Sequence, residues 1–156
     1  MTISIELVNG ETTELRELIG ELDAVLGAEY EPHQRHGLSL SQLFEPHMRF
    51  FIVRLDGAAV GCGGVALFDD YAEVKRMYTR PEARGRGLAK LLLERIEAEA
   101  RAAGNLVLRL ETGTRQPEAI GLYQAVGFRA CAAFGPYATM APAMIETSLF
   151  FEKRLD

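Results

Sequence analysis

The chain has no tryptophan, two cysteines and three histidines among its 156 residues, and each scarcity removes a class of function. Cys62 and Cys131 show neither CxxC spacing nor a neighbouring histidine cluster, which argues against a bound metal. They read instead as reduced core residues of a cytoplasmic protein. No apolar run approaches the roughly 18–20 residues that cross a bilayer, so no membrane role is expected. Met1–Glu6 also lacks the charged-then-apolar pattern of a secretion signal. Positive charge is short as well: 17 Lys and Arg against 22 Asp and Glu leave a net charge of −5. That balance argues against nucleic-acid binding, which normally shows as a basic domain. Repeats, low-complexity tracts and linkers are all absent. Residues 1–156 are therefore expected to form a single domain, long enough to bury about two-thirds of its unfolded surface.

What is present is unevenly placed. Lys75, Arg76, Arg80, Arg84, Arg86 and Lys90 crowd one stretch against a single acid, Glu82. An acidic chain that gathers its cations in this way suits a small polyanionic ligand. Apolar periodicity predicts strands over Thr2–Val8, Phe50–Leu55, Ala59–Leu67, Ala72–Thr79, Leu106–Leu110, Phe128–Ala133 and Ile145–Arg154. Asp56-Gly57 marks a two-residue hairpin between the second and third of these. Helices are predicted from Leu15 to a stop at Gly27, around Ser39–Phe44, over Gly87–Ala103, and from Gln116 to about Val126. The last opens with proline at its first position and an acid in its first turn. This order implies an α/β fold of the α+β type. A single mixed, mostly antiparallel central sheet of about seven strands would be flanked by about four helices.

The stretch "RPEARGRGLAKLLLERIE", Arg80–Glu97, follows a predicted strand and opens the clearest helix. A helix start offers unpaired N–H groups and about half a positive charge. Gly85 and Gly87 would let a phosphate approach the backbone, and Arg84 and Arg86 add full charge. A Walker loop is not matched, since GxxxxGK followed by Ser or Thr is absent. A dinucleotide fingerprint, GxGxxG, fails at its last glycine, where Lys90 stands. Glu111 lies where that motif's ribose-binding acid is expected, but one βαβ unit is too little for a doubly wound domain.

Arg84-Gly85-Arg86-Gly87-Leu88-Ala89 matches Q/R-x-x-G-x-G/A, the coenzyme A signature of the GNAT superfamily of N-acetyltransferases. "QPEAIGLYQAVGF", Gln116–Phe128, resembles the second motif of that family, and the order of elements agrees throughout. The resemblance implies the acyl-CoA N-acyltransferase fold, with acetyl-CoA as co-substrate; no metal is expected. It implies a central strand that splays from its neighbour to admit pantetheine along Met77, Tyr78 and Thr79. The pyrophosphate would lie on the N–H groups of Arg84, Gly85, Arg86, Gly87, Leu88 and Ala89. Gln116 stands where the family usually has asparagine, one methylene shorter. The resemblance also implies N-acetylation of an amine. A small-molecule or amino-acid-like acceptor is expected; a protein or peptide amine, or a coenzyme-binding sensor without catalysis, is the alternative. The chain itself fixes no oligomeric state, and a homodimer is compatible with it.

The reaction sets its own requirements. An amine with a pKa near 10 must lose a proton before it attacks, the thioester oxygen gathers charge, and the leaving thiolate must be stabilised. The resemblance makes Glu73, eleven residues ahead of Arg84, the candidate base, and it is also a carboxylate on a central strand that should be apolar. A solvated ion pair with Lys75 is the competing reading, and Glu111 the second candidate. A backbone N–H near Met77–Thr79 would meet the oxyanion. The resemblance makes Tyr123 the candidate acid for the coenzyme sulfur; a core tyrosine is the alternative. Neither cysteine has an identifiable base partner, so direct transfer is expected rather than an acyl-enzyme. Two irregular segments are candidates for the acceptor pocket. Tyr30–Gly37 carries His33, Arg35 and His36, which could hold a carboxylate or could simply be a solvated loop, and Phe134–Met144 carries Tyr137.

Overall fold

A computed structural model describes residues 1–156. Seven strands form one sheet: β1 (Ile3–Leu7), β2 (Met48–Leu55), β3 (Ala58–Leu67), β4 (Ala72–Thr79), β5 (Val107–Gly113), β6 (Arg129–Ala130) and β7 (Ser148–Arg154). Their order across the sheet is β1-β2-β3-β4-β5-β7-β6. All neighbours are antiparallel except β4 and β5. The helices are α1 (Thr13–Glu29), α2 (Leu88–Ala102), α3 (Pro117–Ala125) and the short α4 (Pro142–Ile145). No helix is long and apolar enough to cross a membrane.

Alternation along β2 explains the layers, because successive strand side chains point to opposite faces. Phe50 and Ile52 pack with Leu15, Leu18, Ile19 and Leu22 of α1. Phe51 and Val53 face the other way, onto Leu88, Leu92, Leu93, Ile96 and Ala100 of α2. Each large apolar side chain buried here contributes roughly 1.5–3 kcal/mol relative to exposure. A third, aromatic cluster of Tyr71, Phe134, Tyr137 and Phe150 ties the segment between β6 and β7 to the sheet. The β2–β3 turn has positive φ at both central residues, Asp56 (50°) and Gly57 (87°), which matches the right-handed twist of a hairpin.

Several boundaries differ from the sequence reading, and the helix expected around Ser39–Phe44 is a 3₁₀ turn, Ser41–Phe44. Gly27 does not end α1, which continues to Glu29, where the Tyr30 N–H closes on the Leu26 carbonyl. A helical glycine costs only about 1 kcal/mol, and the buried face of α1 outweighs that cost. The sixth strand keeps only Arg129–Ala130 instead of Phe128–Ala133. Beyond it, Phe134 turns inward to the aromatic cluster, so the chain leaves the sheet edge.

The feature that positions the site is a failure of pairing. β4 and β5 share only Ala72↔Leu108 and Glu73↔Arg109 before they diverge. On its other side, β4 bulges against β3 between Cys62 and Gly64, and Arg76 takes a φ of 56° there. A bulge bends the strand and re-aims its side chains. Asp23 of α1 holds the Arg76 guanidinium, and Glu21 receives bonds from Tyr78 (3.1 Å) and Arg80 (2.9 Å). Helix α1 is thereby fastened over the bent half of β4.

Candidate active site

The divergence of β4 from β5 opens two adjoining cavities. The larger, about 550 Å³, runs between Met77–Thr79 of β4, the Ala83–Lys90 turn and the start of α3. Its floor is the start of α2. Gly85 and Gly87 have φ of 79° and 76°, and a Cβ added at either would meet nothing within 4 Å. Glycine is therefore needed for backbone conformation, and the bare turn stays open to a ligand. Helix α2 has no side-chain cap, so its first N–H groups remain available to an anion. Arg84 bonds the Thr79 carbonyl at 3.1 Å and approaches Glu118 at 3.8 Å, spanning the cleft from β4 to α3.

The smaller cavity, about 130 Å³, lies on the other side of Tyr123. Glu73, Lys75, Arg76, Glu111, Arg35, His36 and Tyr137 contribute its polar wall. Leu22, Met77, Gln116, Ala119 and Tyr123 line both cavities and form the passage between them. Several elements converge here because β4 and β5 no longer fill the space between themselves.

Glu73 is only 3% exposed, yet it is paired. Its Oε2 receives the Tyr137 hydroxyl at 2.7 Å and the Lys75 ammonium at 2.9 Å, and Lys75 also donates to Tyr137 Oη at 3.1 Å. The predicted Glu73–Lys75 ion pair is thus real but buried, and a tyrosine from the β6–β7 segment completes it. A buried carboxylate with two donors satisfies the requirement that enclosed charges be bonded. Burial, followed by the Glu73 charge, pushes the Tyr137 hydroxyl far above its ordinary value and keeps it a donor.

Glu111 differs. Its Oε2 accepts only the Ser148 hydroxyl at 2.7 Å, and no cation pairs with it within 4 Å. Burial raises the carboxyl above the ordinary range; the Ser148 bond and the charges of His36 and Lys75 oppose that rise, and Glu73 adds to it. Tyr123 is 6% exposed and sits where the two cavities meet. Burial, with the Glu111 charge adding, raises its phenol well above the usual tyrosine value. It remains a neutral O–H whose hydroxyl has no protein partner.

A profile described as the acetyltransferase (GNAT) family matches residues 14–128. An IAA acetyltransferase of Azospirillum brasilense is 47% identical over 141 residues, 89% of each chain. The chain belongs to the GNAT acetyltransferase family. A solved chain of Klebsiella pneumoniae, assigned as an acyl-CoA N-acyltransferase, shares 35% identity over 99% of this chain and 98% of its own, with a TM-score of 0.84. PaiA N-acetyltransferase of Thermoplasma acidophilum, solved with coenzyme A, shares the fold: TM-score 0.77, 20% identity, 99% of each chain covered. The seven-stranded sheet and four helices of this GNAT chain are the expected acyl-CoA N-acyltransferase fold.

Most residues that the sequence singled out meet in these cavities. Met77, Tyr78, Thr79, Arg84, Gly85, Gly87, Leu88, Ala89, Gln116 and Tyr123 line the larger. Arg35, His36, Glu73, Glu111 and Tyr137 line the smaller. Two do not join them: Arg86 turns out toward Met1 Sδ at 3.8 Å, and His33 is exposed on the 3₁₀ turn Pro32–Gln34. Sequence reasoning missed Lys75 and Arg76 as cavity residues, although two cations on a central strand were a usable signal. It also missed Ser148 and the apolar wall from α1, Leu22 and Leu26, for which local sequence carries no signal.

Proposed function

We propose that this GNAT protein, acting as one unit over residues 1–156, acetylates the amine of a small molecule with acetyl-CoA as donor. The single observation that carries the reading is the pair of cavities meeting at Met77, Gln116, Ala119 and Tyr123. One has the glycine turn and helix start that suit a pyrophosphate, and the other has carboxylates that suit an amine. Coenzyme A fits the first by the chemistry of its wall: N–H donors at the turn, Arg84 and Lys90 beside it, and apolar Leu22, Val25 and Leu122 along the cleft. Acetyl-CoA bound there supplies the thioester that the amine attacks.

Each side chain then has a distinct task. Glu111 takes the proton of the acceptor amine, since a carboxylate held above its ordinary pKa is a stronger base at neutral pH. Glu73 holds Lys75 and Tyr137 in place rather than exchanging protons. Tyr123, kept neutral by burial, donates to the departing thiolate. Transfer is direct. Cys62 lines neither cavity, and burial pushes its thiol up to about 12, far from a ready nucleophile.

Thermal melts with added nucleotides test the donor. Acetyl-CoA at a hundredfold its Kd contributes about 2.7 kcal/mol, which should raise Tm by about 5–10 °C, whereas NAD should leave it unchanged. A rise with NAD and none with acetyl-CoA would overturn the assignment.

A further inference from the structure

The smaller cavity carries a charge pattern that names the acceptor more closely, on the understanding that it is the acceptor site proposed above. Most of its ionic groups are already matched. Lys75 is paired with Glu73, and Arg76 with Asp23. The His36 Nε2 lies 2.8 Å from the Met144 carbonyl, so this nitrogen carries a proton that the backbone already engages. Two ionic groups remain without an oppositely charged partner. Glu111 has only the neutral Ser148 hydroxyl, and Arg35 has neither an ion-pair partner within 4 Å nor a hydrogen bond from its guanidinium. The ammonium of Lys75 has three N–H donors, of which Glu73 and Tyr137 engage two.

One unmatched anion and one unmatched cation on the walls of a small cavity are complementary to a ligand bearing both charges. We infer that the acceptor is an amino acid, whose amine faces Glu111 and whose carboxylate is held by Arg35 with the third N–H of Lys75. The orientation follows from the acid's surroundings. Glu111 shares the smaller cavity with Tyr123, which also lines the donor cleft, so the amine end lies toward the thioester. Arg35 follows the 3₁₀ turn Pro32–Gln34 and stays exposed, so the carboxylate end lies outward. A guanidinium suits this task because its planar donors match both carboxylate oxygens. Bonding between the Tyr137 segment and β4 fixes the Lys75 ammonium before the ligand arrives, which lowers the ordering cost of binding.

Release of free coenzyme thiol from acetyl-CoA tests this with the twenty amino acids and with decarboxylated partners. Suitable pairs are phenylalanine and phenethylamine, leucine and isoamylamine, and methionine and 3-(methylthio)propylamine. For the preferred side chain, kcat/KM should favour the amino acid over its amine by roughly ten- to a hundredfold, the range of a charge-assisted carboxylate bond. Arg35→Ala should erase most of that preference through KM, and Arg35→Lys should restore part of it. Because Arg35 is exposed, both variants should melt with the parent protein, which separates lost recognition from lost folding. Amines used as well as amino acids by the parent, or a preference untouched in Arg35→Ala, would overturn the inference while leaving N-acetylation standing. No turnover with either member of any pair would count against both.

Discussion

Replacing Glu111 by glutamine should make the protein a far worse catalyst and a more stable fold. The amide keeps the shape of the side chain and can still accept the Ser148 hydroxyl, but it cannot take a proton. General-base catalysis is typically worth 10²–10⁴ in rate, or about 3–5 kcal/mol of barrier, so kcat/KM should fall by roughly that factor near neutral pH. Activity should recover as pH approaches the pKa of the amine, near 10, where the acceptor deprotonates unaided. The stability effect has the opposite sign. Folding raises the Glu111 pKa from its ordinary 4.5, chiefly through burial, so the native state binds this proton more tightly than the unfolded chain does. That contribution to stability is complete below the unfolded pKa and is lost as pH rises through the folded one. Wild-type and Glu111→Gln melting temperatures should therefore converge near pH 4 and separate toward neutrality, with the variant higher. Glu73→Gln is the contrast. It leaves the buried Lys75 charge without its partner, a change that typically costs about 3–5 kcal/mol, so it should lower Tm while keeping the parent pH–rate profile. The measurements are thiol release from about pH 6 to about pH 10 and melts from about pH 4 to about pH 8. If Glu111→Gln keeps the wild-type profile while Glu73→Gln acquires the alkaline rescue, the base is Glu73 and the reasoning fails.

Tyr123→Phe should lower kcat on the order of a hundredfold with little change in affinity for acetyl-CoA, since only the proposed donor to the thiolate is removed. Isothermal titration alongside turnover separates the two effects, and unchanged turnover would return Tyr123 to a packing role. Gly87→Ala has open space for its methyl, so its cost is the left-handed backbone alone. About 1–2 kcal/mol should appear as a Tm lower by about 2–8 °C. The same substitution should raise KM for acetyl-CoA, because the methyl intrudes on the phosphate turn; a normal KM would argue that the coenzyme lies elsewhere.

The sequence by itself determined the sheet, the layers and the bare glycine turn ahead of α2. Alternation in Phe50–Val53 and the Leu88, Leu92, Ile96, Ala100 stripe assign residues to opposite faces from local periodicity alone. The glycines at 85 and 87 are equally local, because a left-handed φ and a bare turn are properties of single residues. Tertiary structure decided the smaller cavity. Whether Glu73 or Glu111 remains free depends on partners far away in the chain: Tyr137 lies 64 residues from Glu73, and Ser148 lies 37 residues from Glu111. Periodicity could suggest that Glu73 and Lys75 share a strand face. It could not show that β4 and β5 part after Arg109 and leave that face walled by α1, α3 and the β6–β7 segment. The proton affinity of a carboxylate is set by what surrounds it, and those surroundings exist only once the chain has closed around the cleft.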